Sequence, residues 1–201
     1  MARPREFDID EALDRAMNVF WAKGYEAASL QDLLEAMGIA RGSLYKAFKD
    51  KHSIYLAALD RYDRTVVQAA VDMLSNPKAG DGVGRVRRFL EAPHDAVARR
   101  NDRRGCFLCN AAVDQAPADP TIRAQVIAMM KRLERAIGIA LNESKRATRW
   151  SAQRRAEVAL LLTNAYIGLR VLARAGYAAS ELAGIVDATL RNCGLAAARR
   201  T

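Results

Sequence analysis

The chain has 201 residues, of which 51% are hydrophobic and 27% are charged, a balance that is typical of globular proteins and excludes a disordered chain. Its formal net charge of +9 favours an anionic partner such as nucleic acid. The sequence has no run of 18 apolar residues, its charged N-terminus is unlike a secretory signal, and its three cysteines are too few for a disulfide framework. We therefore expect a cytoplasmic protein with no membrane partner.

Apolar residues recur at intervals of three and four in the N-terminal part, whereas the two-residue alternation of β-strands is nearly absent. Asp8 and Gly24 flank the first amphipathic segment as cap residues. Ser29 and Gly38 flank the second, and Asp50 precedes the fourth. The helices predicted here span residues 9–23, 30–37, 41–48 and 51–74. The pattern predicts an all-α fold.

The clearest loop, at residues 76–82, separates these helices from a second group. Five further helices are predicted, at about 83–100, 105–116, 120–145, 152–175 and 180–197. We expect Pro93 to bend or end the first of them. Asp119 followed by Pro120 is a helix start, and Gly176 is a helix end. The chain is thus predicted to hold about nine helices.

The helices at 30–37 and 41–48 are short and are joined by a tight turn at Gly38, dimensions that are typical of a DNA-binding helix-turn-helix. Helices of this length are marginal in water by themselves. We therefore expect them to pack on the helices at 9–23 and 51–74 as a compact bundle.

Two runs in this part, FWAKGYEAASL at residues 20–30 and MGIARGSLYKAFKDK at residues 37–51, carry a family pattern. They contain a glycine-aromatic entry, a Gly-Ile turn, a small-Leu-Tyr-x-x-Phe recognition helix and an Asp-Lys entry to the fourth helix. The pattern strongly resembles that of the TetR (tetracycline-repressor) family. The resemblance implies a helix-turn-helix domain over 1–52, a ligand-binding and dimerisation domain over 53–201, and a sequence-specific transcriptional regulator. It implies a repressor that a small effector releases from double-stranded operator DNA.

Residues at the start of the recognition helix are the expected contacts to bases. Arg41, Gly42 and Ser43 would enter the major groove, where Arg41 can bind guanine bidentately and Gly42 permits close approach of the backbone. Tyr45 and Lys46 resemble phosphate contacts. Packing for Tyr45 and a solvated charge for Arg41 are the alternatives.

Further DNA contacts are expected outside this helix. Ser29 and Lys51 resemble phosphate contacts. Arg3 and Arg5 resemble an arm in the minor groove, although chain termini are often without such a role. Residues 1–52 hold eight basic and nine acidic side chains, so DNA binding requires a basic face rather than a basic domain.

The helices at 152–175 and 180–197 are apolar on more than one face, which favours burial on two sides. In the family that the chain resembles, these two helices pair with their counterparts in a four-helix dimer interface. A thicker monomeric core is the alternative. The prediction is a homodimer through these helices, since binding two half-sites requires two subunits.

The family also encloses an effector pocket between the remaining helices, which implies ligand contacts from large apolar residues in this chain. The predicted ligand-binding residues are Tyr55, Tyr62, Phe89, Phe107, Met129 and Met130. An ordinary core is the alternative for each of them. Arg85, Arg87 and Arg88 would suit an anionic effector or form a solvated face.

The Cys106-x-x-Cys109 motif lies near a predicted helix start, with both sulfurs on one face. Arg104 and the helix N-terminus would lower the pKa of Cys106, which suits a sensor of oxidants or electrophiles. Structural packing is the alternative. A zinc site lacks paired ligands and a dithiol enzyme lacks a βαβ context, so we expect no metal, no cofactor and no enzymatic activity.

Overall fold

The computed structural model describes residues 8–196 of the chain, so Arg3 and Arg5 of the predicted arm lie outside the described residues. Within residues 8–196 the regular structure is helical throughout, with no strand, which confirms the predicted all-α fold. The α-helices are α1 (Ile9–Lys23), α2 (Leu30–Met37), α3 (Arg41–Ala47), α4 (Lys51–Tyr62), α5 (Gln68–Ser75), α6 (Gly82–Arg100), α7 (Phe107–Asp114), α8 (Pro120–Asn142), α9 (Ala152–Ala175) and α10 (Ala179–Asn192).

Helices α1 to α3 and the start of α4 form the N-terminal bundle. The Ser29 hydroxyl accepts the N–H of Asp32, and the Asp32 carboxylate accepts the N–H of Ser29, so α2 begins with a complete capping box. Gly38 ends α2 in the left-handed conformation, with φ 68°. Leu44 and Phe48 are buried against this bundle, as their spacing predicts.

Helices α4 and α5 form one continuous rod that contains a π-helical segment, Asp63–Val67. The sequence predicts a single regular helix over 51–74, and the structure differs by this wider turn. Arg132 on α8 donates hydrogen bonds to Asp63 and to Gln68, at the two ends of the segment. This distant partner stabilises an irregularity that local periodicity does not predict.

Helix α6 does not end at Pro93 but continues to Arg100, so of the two expectations, a bend or an end, the end is wrong. The Pro93 ring is buried where α6 packs on α8, α9 and α10, and this packing offsets the missing backbone hydrogen bond. Asn101, with φ 49°, ends the helix.

The boundaries of three other helices differ from prediction. Helix α7 begins at Phe107, because Cys106 has an extended backbone (φ −131°, ψ 126°) and is the N-cap residue rather than part of the helix. Helix α8 ends at Asn142 and α10 ends at Asn192, earlier than predicted. Helix α9 ends at Gly176, as predicted, and is by length and composition the one described helix that could cross a membrane.

Candidate DNA-binding surface and effector cavity

The outer face of α3 carries the residues that the sequence predicts as DNA contacts. Arg41, Gly42 and Lys46 are exposed, and Tyr45 is 52% exposed, so its side chain is not part of the core. Ser43 is half-buried beside them. The opposite side of α3 is held by the bundle core, so this face points outward and is available to a groove of DNA.

Gly42 has no internal reason to be glycine. A Cβ atom there would meet no other part of the described chain within 4 Å, and its φ lies outside the left-handed region. Close approach by a second molecule is a requirement that would favour glycine at this position.

Ser29 and Lys51 each have a structural contact besides their predicted role at DNA. The exposed Ser29 caps α2, and the Lys51 ammonium donates to the Glu26 carbonyl at 3.3 Å. Lys51 also lies 4.5 Å from the centre of the Tyr25 ring, a cation–π contact. Ser29 and Lys51 therefore lie at the N-termini of α2 and α4, and these contacts hold both residues in place.

A cavity of about 310 Å³ lies between the α4–α5 rod and helices α6, α8 and α9. Apolar side chains line most of it, and Tyr62, Tyr166 and Arg170 supply polar groups. The Tyr166 ring stacks on Phe89 at 3.9 Å between centroids, and its hydroxyl accepts a hydrogen bond from Arg170 Nε at 2.9 Å. The cavity thus combines an apolar wall with hydrogen-bonding groups, as small-molecule sites do.

The predicted ligand residues do not all meet at this cavity. Tyr62 and Phe89 line it, and Met130 lines a separate groove between α8 and α9. Tyr55 contacts Phe107 at 5.4 Å in an aromatic cluster, and Met129 is buried; these three line neither the cavity nor the groove.

Only one of the three candidate arginines reaches the cavity. Arg88 lines it, whereas the buried Arg85 donates to the Leu74 carbonyl and to Glu143. Arg87 forms an ion pair with Asp187 at 2.7 Å. Arg85 and Arg87 therefore join helices rather than offer a binding site.

Cys106 is buried at the polar end of the cavity, where its sulfur lies 3.2 Å from the Tyr62 hydroxyl. Hydrogen bonding from the Cys109 thiol, together with the nearby Arg170 guanidinium and the Tyr62 hydroxyl, lowers the pKa of Cys106 to about 6 despite its burial. The same contact and burial raise the pKa of Cys109. Over residues 8–196 no group of three or more potential metal ligands is found.

Sequence reasoning missed Tyr166 and Arg170. A signal was available, because Arg170 is a charged residue within a largely apolar helix and Tyr166 precedes it by one turn. Arg170 is half-buried, and a charge that is partly withdrawn from solvent usually has a partner or a function.

The polar end of the cavity contacts the N-terminal bundle directly. The Tyr62 ring packs edge-on against Trp21 of α1 at 5.3 Å. Arg104, two residues before Cys106, lies 4.2 Å from the centre of the Trp21 ring and donates to Asn18 at 2.8 Å. Changes at Tyr62 or Cys106 therefore act on side chains that position α1.

Comparisons with known proteins agree with this architecture. The family model described as bacterial regulatory proteins, tetR family, matches residues 12–58, and the one described as tetracyclin repressor-like, C-terminal domain, matches residues 82–175. The uncharacterized HTH-type transcriptional regulator YezE of Bacillus subtilis (strain 168) is 34% identical over 134 residues, which cover 67% of this chain and 68% of that protein. The chain belongs to the TetR family of transcriptional regulators.

Two other relatives of this TetR-family regulator are similar over different lengths. The HTH-type transcriptional repressor ComR of Escherichia coli (strain K12) is 35% identical over 116 residues, 57% of this chain and 54% of that protein. A solved cysteine mutant of the regulator CifR, complexed with 26-bp double-strand operator DNA, superposes with a TM-score of 0.80 at 31% identity. That match covers 94% of this chain and 98% of the other.

Family membership confirms the predictions of a DNA-binding transcriptional regulator, of a dimer and of a small-molecule effector. The individual DNA and ligand contacts, and the division of the chain at residue 52, stay predictions.

Proposed function

We propose that this TetR-family regulator is a cytoplasmic repressor, without enzymatic activity, that leaves its operator when a small effector fills the 310 Å³ cavity. The observation that carries this proposal is the contact between the cavity and the DNA-binding bundle. Tyr62 lines the cavity and packs on Trp21 of α1, so an effector that moves Tyr62 also moves α1. The regulator then leaves the operator if the effector binds the conformation with displaced α1 more tightly than the conformation that binds DNA.

The cavity lining indicates the chemical class of the effector. Val66, Ala70 and Met73 present an apolar wall, which suits a compact apolar body. Arg88 and Arg170 provide cationic donors, which suit one carboxylate or other acceptor group. The proposed effector is therefore small and largely apolar, with one acceptor or anionic end.

Filling the cavity by mutation tests the proposal without knowledge of the effector. Ala92 lines the cavity on α6, and we expect Ala92→Phe to lower operator affinity on the order of 5- to 150-fold, the usual range of coupling between sites. The matched control is Ala98→Phe on the exposed side of the same helix, which should bind as the parent does. Parent-like operator affinity of a folded Ala92→Phe protein would contradict the proposed coupling.

Operator recognition is proposed to depend on Arg41 at the exposed start of α3. Arg41→Ala should cost about 1–3 kcal/mol on the preferred operator and relax the base preference at one position. Selection from random DNA followed by titration of the selected and altered sites measures both effects. An equal loss on every sequence would instead assign Arg41 to a phosphate.

Lys51 is proposed to contact a phosphate while holding the Glu26 carbonyl. Lys51→Ala should weaken specific and non-specific binding alike and reduce the slope of log affinity against log salt by about one. Lys49→Ala, an exposed lysine two residues away, is the comparison. An unchanged salt slope would limit Lys51 to its structural contacts with Glu26 and Tyr25.

A further inference from the structure

The two cysteines of the Cys-x-x-Cys motif lie on different kinds of backbone. Cys106 is the extended N-cap residue of α7, and Cys109 occupies the third position of the helix. A side chain at the N-cap turns back over the first turn, toward the residue three positions later. Cys106 and Cys109 also line one pocket together with Arg174, so both thiols face the same space.

This geometry removes an obstacle to a disulfide between the two cysteines. Two cysteines spaced i, i+3 within a regular helix have Cβ atoms about 5–6 Å apart, whereas a disulfide needs a separation of about 3.5–4.5 Å. Because Cys106 precedes the helix, its side chain can approach Cys109 while Phe107–Asp114 keeps its helical hydrogen bonds. All three cysteines are free thiols in this structure.

The surroundings give the two thiols different chemistry. The Tyr62 hydroxyl lies 3.2 Å from the Cys106 sulfur, and the Arg170 guanidinium is near it. None of the ion pairs in residues 8–196 joins Arg170 to a carboxylate. These contacts favour the thiolate of Cys106 and the neutral thiol of Cys109. A nucleophilic thiolate beside a neutral thiol is the arrangement that a peroxide-reactive cysteine and its resolving partner require.

A small oxidant has two routes to Cys106. The residue lines the 310 Å³ cavity on one side and, with Cys109 and Arg174, a pocket of about 200 Å³ on the other. Hydrogen peroxide is close to water in size, so either space admits it.

We propose that Cys106 and Cys109 form a two-cysteine site that reacts with hydroperoxides, and that the resulting disulfide releases the regulator from its operator. The Cys106 thiolate attacks one peroxide oxygen, the O–O bond breaks, and Cys106 sulfenic acid and hydroxide form. The Cys109 thiol then attacks the sulfenic sulfur, the S–S bond forms, and the oxygen leaves as water with the Cys109 proton and the sulfenic proton. The peroxide is reduced and the two thiols are oxidised.

The disulfide changes the contacts of groups that position the DNA-binding bundle. Tyr62 loses its anionic acceptor and Arg170 loses the negative charge that it faces. Tyr62 packs on Trp21 of α1, and Arg104 joins the same loop to Asn18. Oxidation therefore alters contacts at both Trp21 and Asn18 on α1.

The proposal is tested on the full-length dimer, freed of reductant and titrated with hydrogen peroxide. We expect free thiols to fall from three to one per chain, and peptide mass spectrometry to join Cys106 to Cys109. Operator affinity should fall on the order of 5- to 150-fold and return after dithiothreitol treatment. Cys193→Ser is the control that should respond as the parent does, because Cys193 is buried in another helix end and burial raises its pKa.

Two variants separate the steps of the reaction. Cys109→Ala should form the sulfenic acid, which a dimedone probe detects, without a disulfide, and Cys106→Ser should form neither. The proposal is overturned if the parent forms the disulfide and keeps its operator affinity, or if Cys106 stays reduced while added peroxide oxidises a free thiol standard.

The outcome is independent of the effector cavity proposal. A peroxide-insensitive parent, with Ala92→Phe still released from DNA, leaves the effector proposal intact and removes the two-cysteine site. Release by peroxide together with parent-like binding of Ala92→Phe supports the two-cysteine site and removes the effector proposal. The operator affinity after peroxide treatment and that of Ala92→Phe are both compared with the operator affinity of the reduced parent.

Discussion

At Gly42, stability and DNA binding are expected to favour different residues. It lies in the first turn of α3 with open space where a Cβ would stand. Gly42→Ala should therefore raise the free energy of unfolding by about 0.5–1 kcal/mol, because alanine loses less backbone entropy on folding. The same methyl group should lower operator affinity if the α3 backbone approaches DNA closely. Urea denaturation and operator titration measure the two effects, and greater stability with unchanged affinity would show that DNA does not approach Gly42.

The contribution of the α2 capping box to stability depends on pH through the ionisation of Asp32. Hydrogen bonds from Lys23, from the N–H of Ser29 and from the Ser29 hydroxyl lower its pKa from 3.8 to about 2. A carboxylate with a lowered pKa stabilises the fold above its unfolded value, and this contribution is lost as the pH falls from 3.8 through about 2. Asp32→Asn should therefore unfold at lower urea than the parent at pH 6.

The difference between Asp32→Asn and the parent should narrow as the pH approaches 3, because the parent then begins to lose the same interactions. Glu35→Gln, on the same helix, is the control. Among the hydrogen bonds of the described residues, the Glu35 side chain bonds only to the exposed Gln31 side chain one turn away. A stability difference that stays constant from pH 6 to pH 3 would argue against a role for the ionised Asp32.

At the scale of elements, α6 contains two glycines with opposite packing. A Cβ at Gly82 would lie 1.7 Å from the carbonyl oxygen of Ala140 in α8, whereas a Cβ at Gly84 would meet nothing within 4 Å. Gly82→Ala should lower the free energy of unfolding by about 1–3 kcal/mol or more, because the backbones of α6 and α8 must separate. Gly84→Ala should be neutral or stabilising. Chemical denaturation compares them, and equal stability of the two variants would show that α6 and α8 do not touch at Gly82.

The elements also show what sequence reasoning can and cannot supply. The start of α2 at Ser29 and its end at Gly38 follow from local hydrogen bonding and backbone freedom, so both were predictable. The π-helical segment depends on Arg132, which lies more than 60 residues away along the chain. Local periodicity contains no information on such a contact.

The candidate sites show the same contrast. The exposed face of α3 was predictable because it lies on one short helix that carries a family pattern. The polar end of the cavity brings together Tyr62, Cys106 and Arg170 from three elements. Only the folded chain shows that these side chains meet, and only it shows that Cys106 precedes α7 rather than lying within it.

At the scale of the whole molecule, α9 exposes an apolar surface of the kind that a protein partner usually covers. Leu160, Leu161 and Val171 are each more than half exposed in the single protomer. Only 39% of the most apolar stretch of α9 is buried within the chain. The length and composition of this helix would also allow it to cross a membrane. We expect a second copy of the chain to pack on α9 and α10 and to cover these side chains.

Leu160→Glu should therefore convert the dimer to a folded monomer, because a charge on this exposed apolar face would be buried without compensation in the dimer. A monomer binds one half-site at a time, so operator affinity should fall on the order of a hundredfold or more as the linkage between half-sites is lost. Light scattering during size-exclusion chromatography gives the oligomeric state, circular dichroism checks the helices, and titration gives the affinity. Ile139→Glu is the matched control, since Ile139 is 41% exposed but lies on α8. A Leu160→Glu protein that stays dimeric and binds operator as the parent does would place the dimer interface elsewhere than this face of α9.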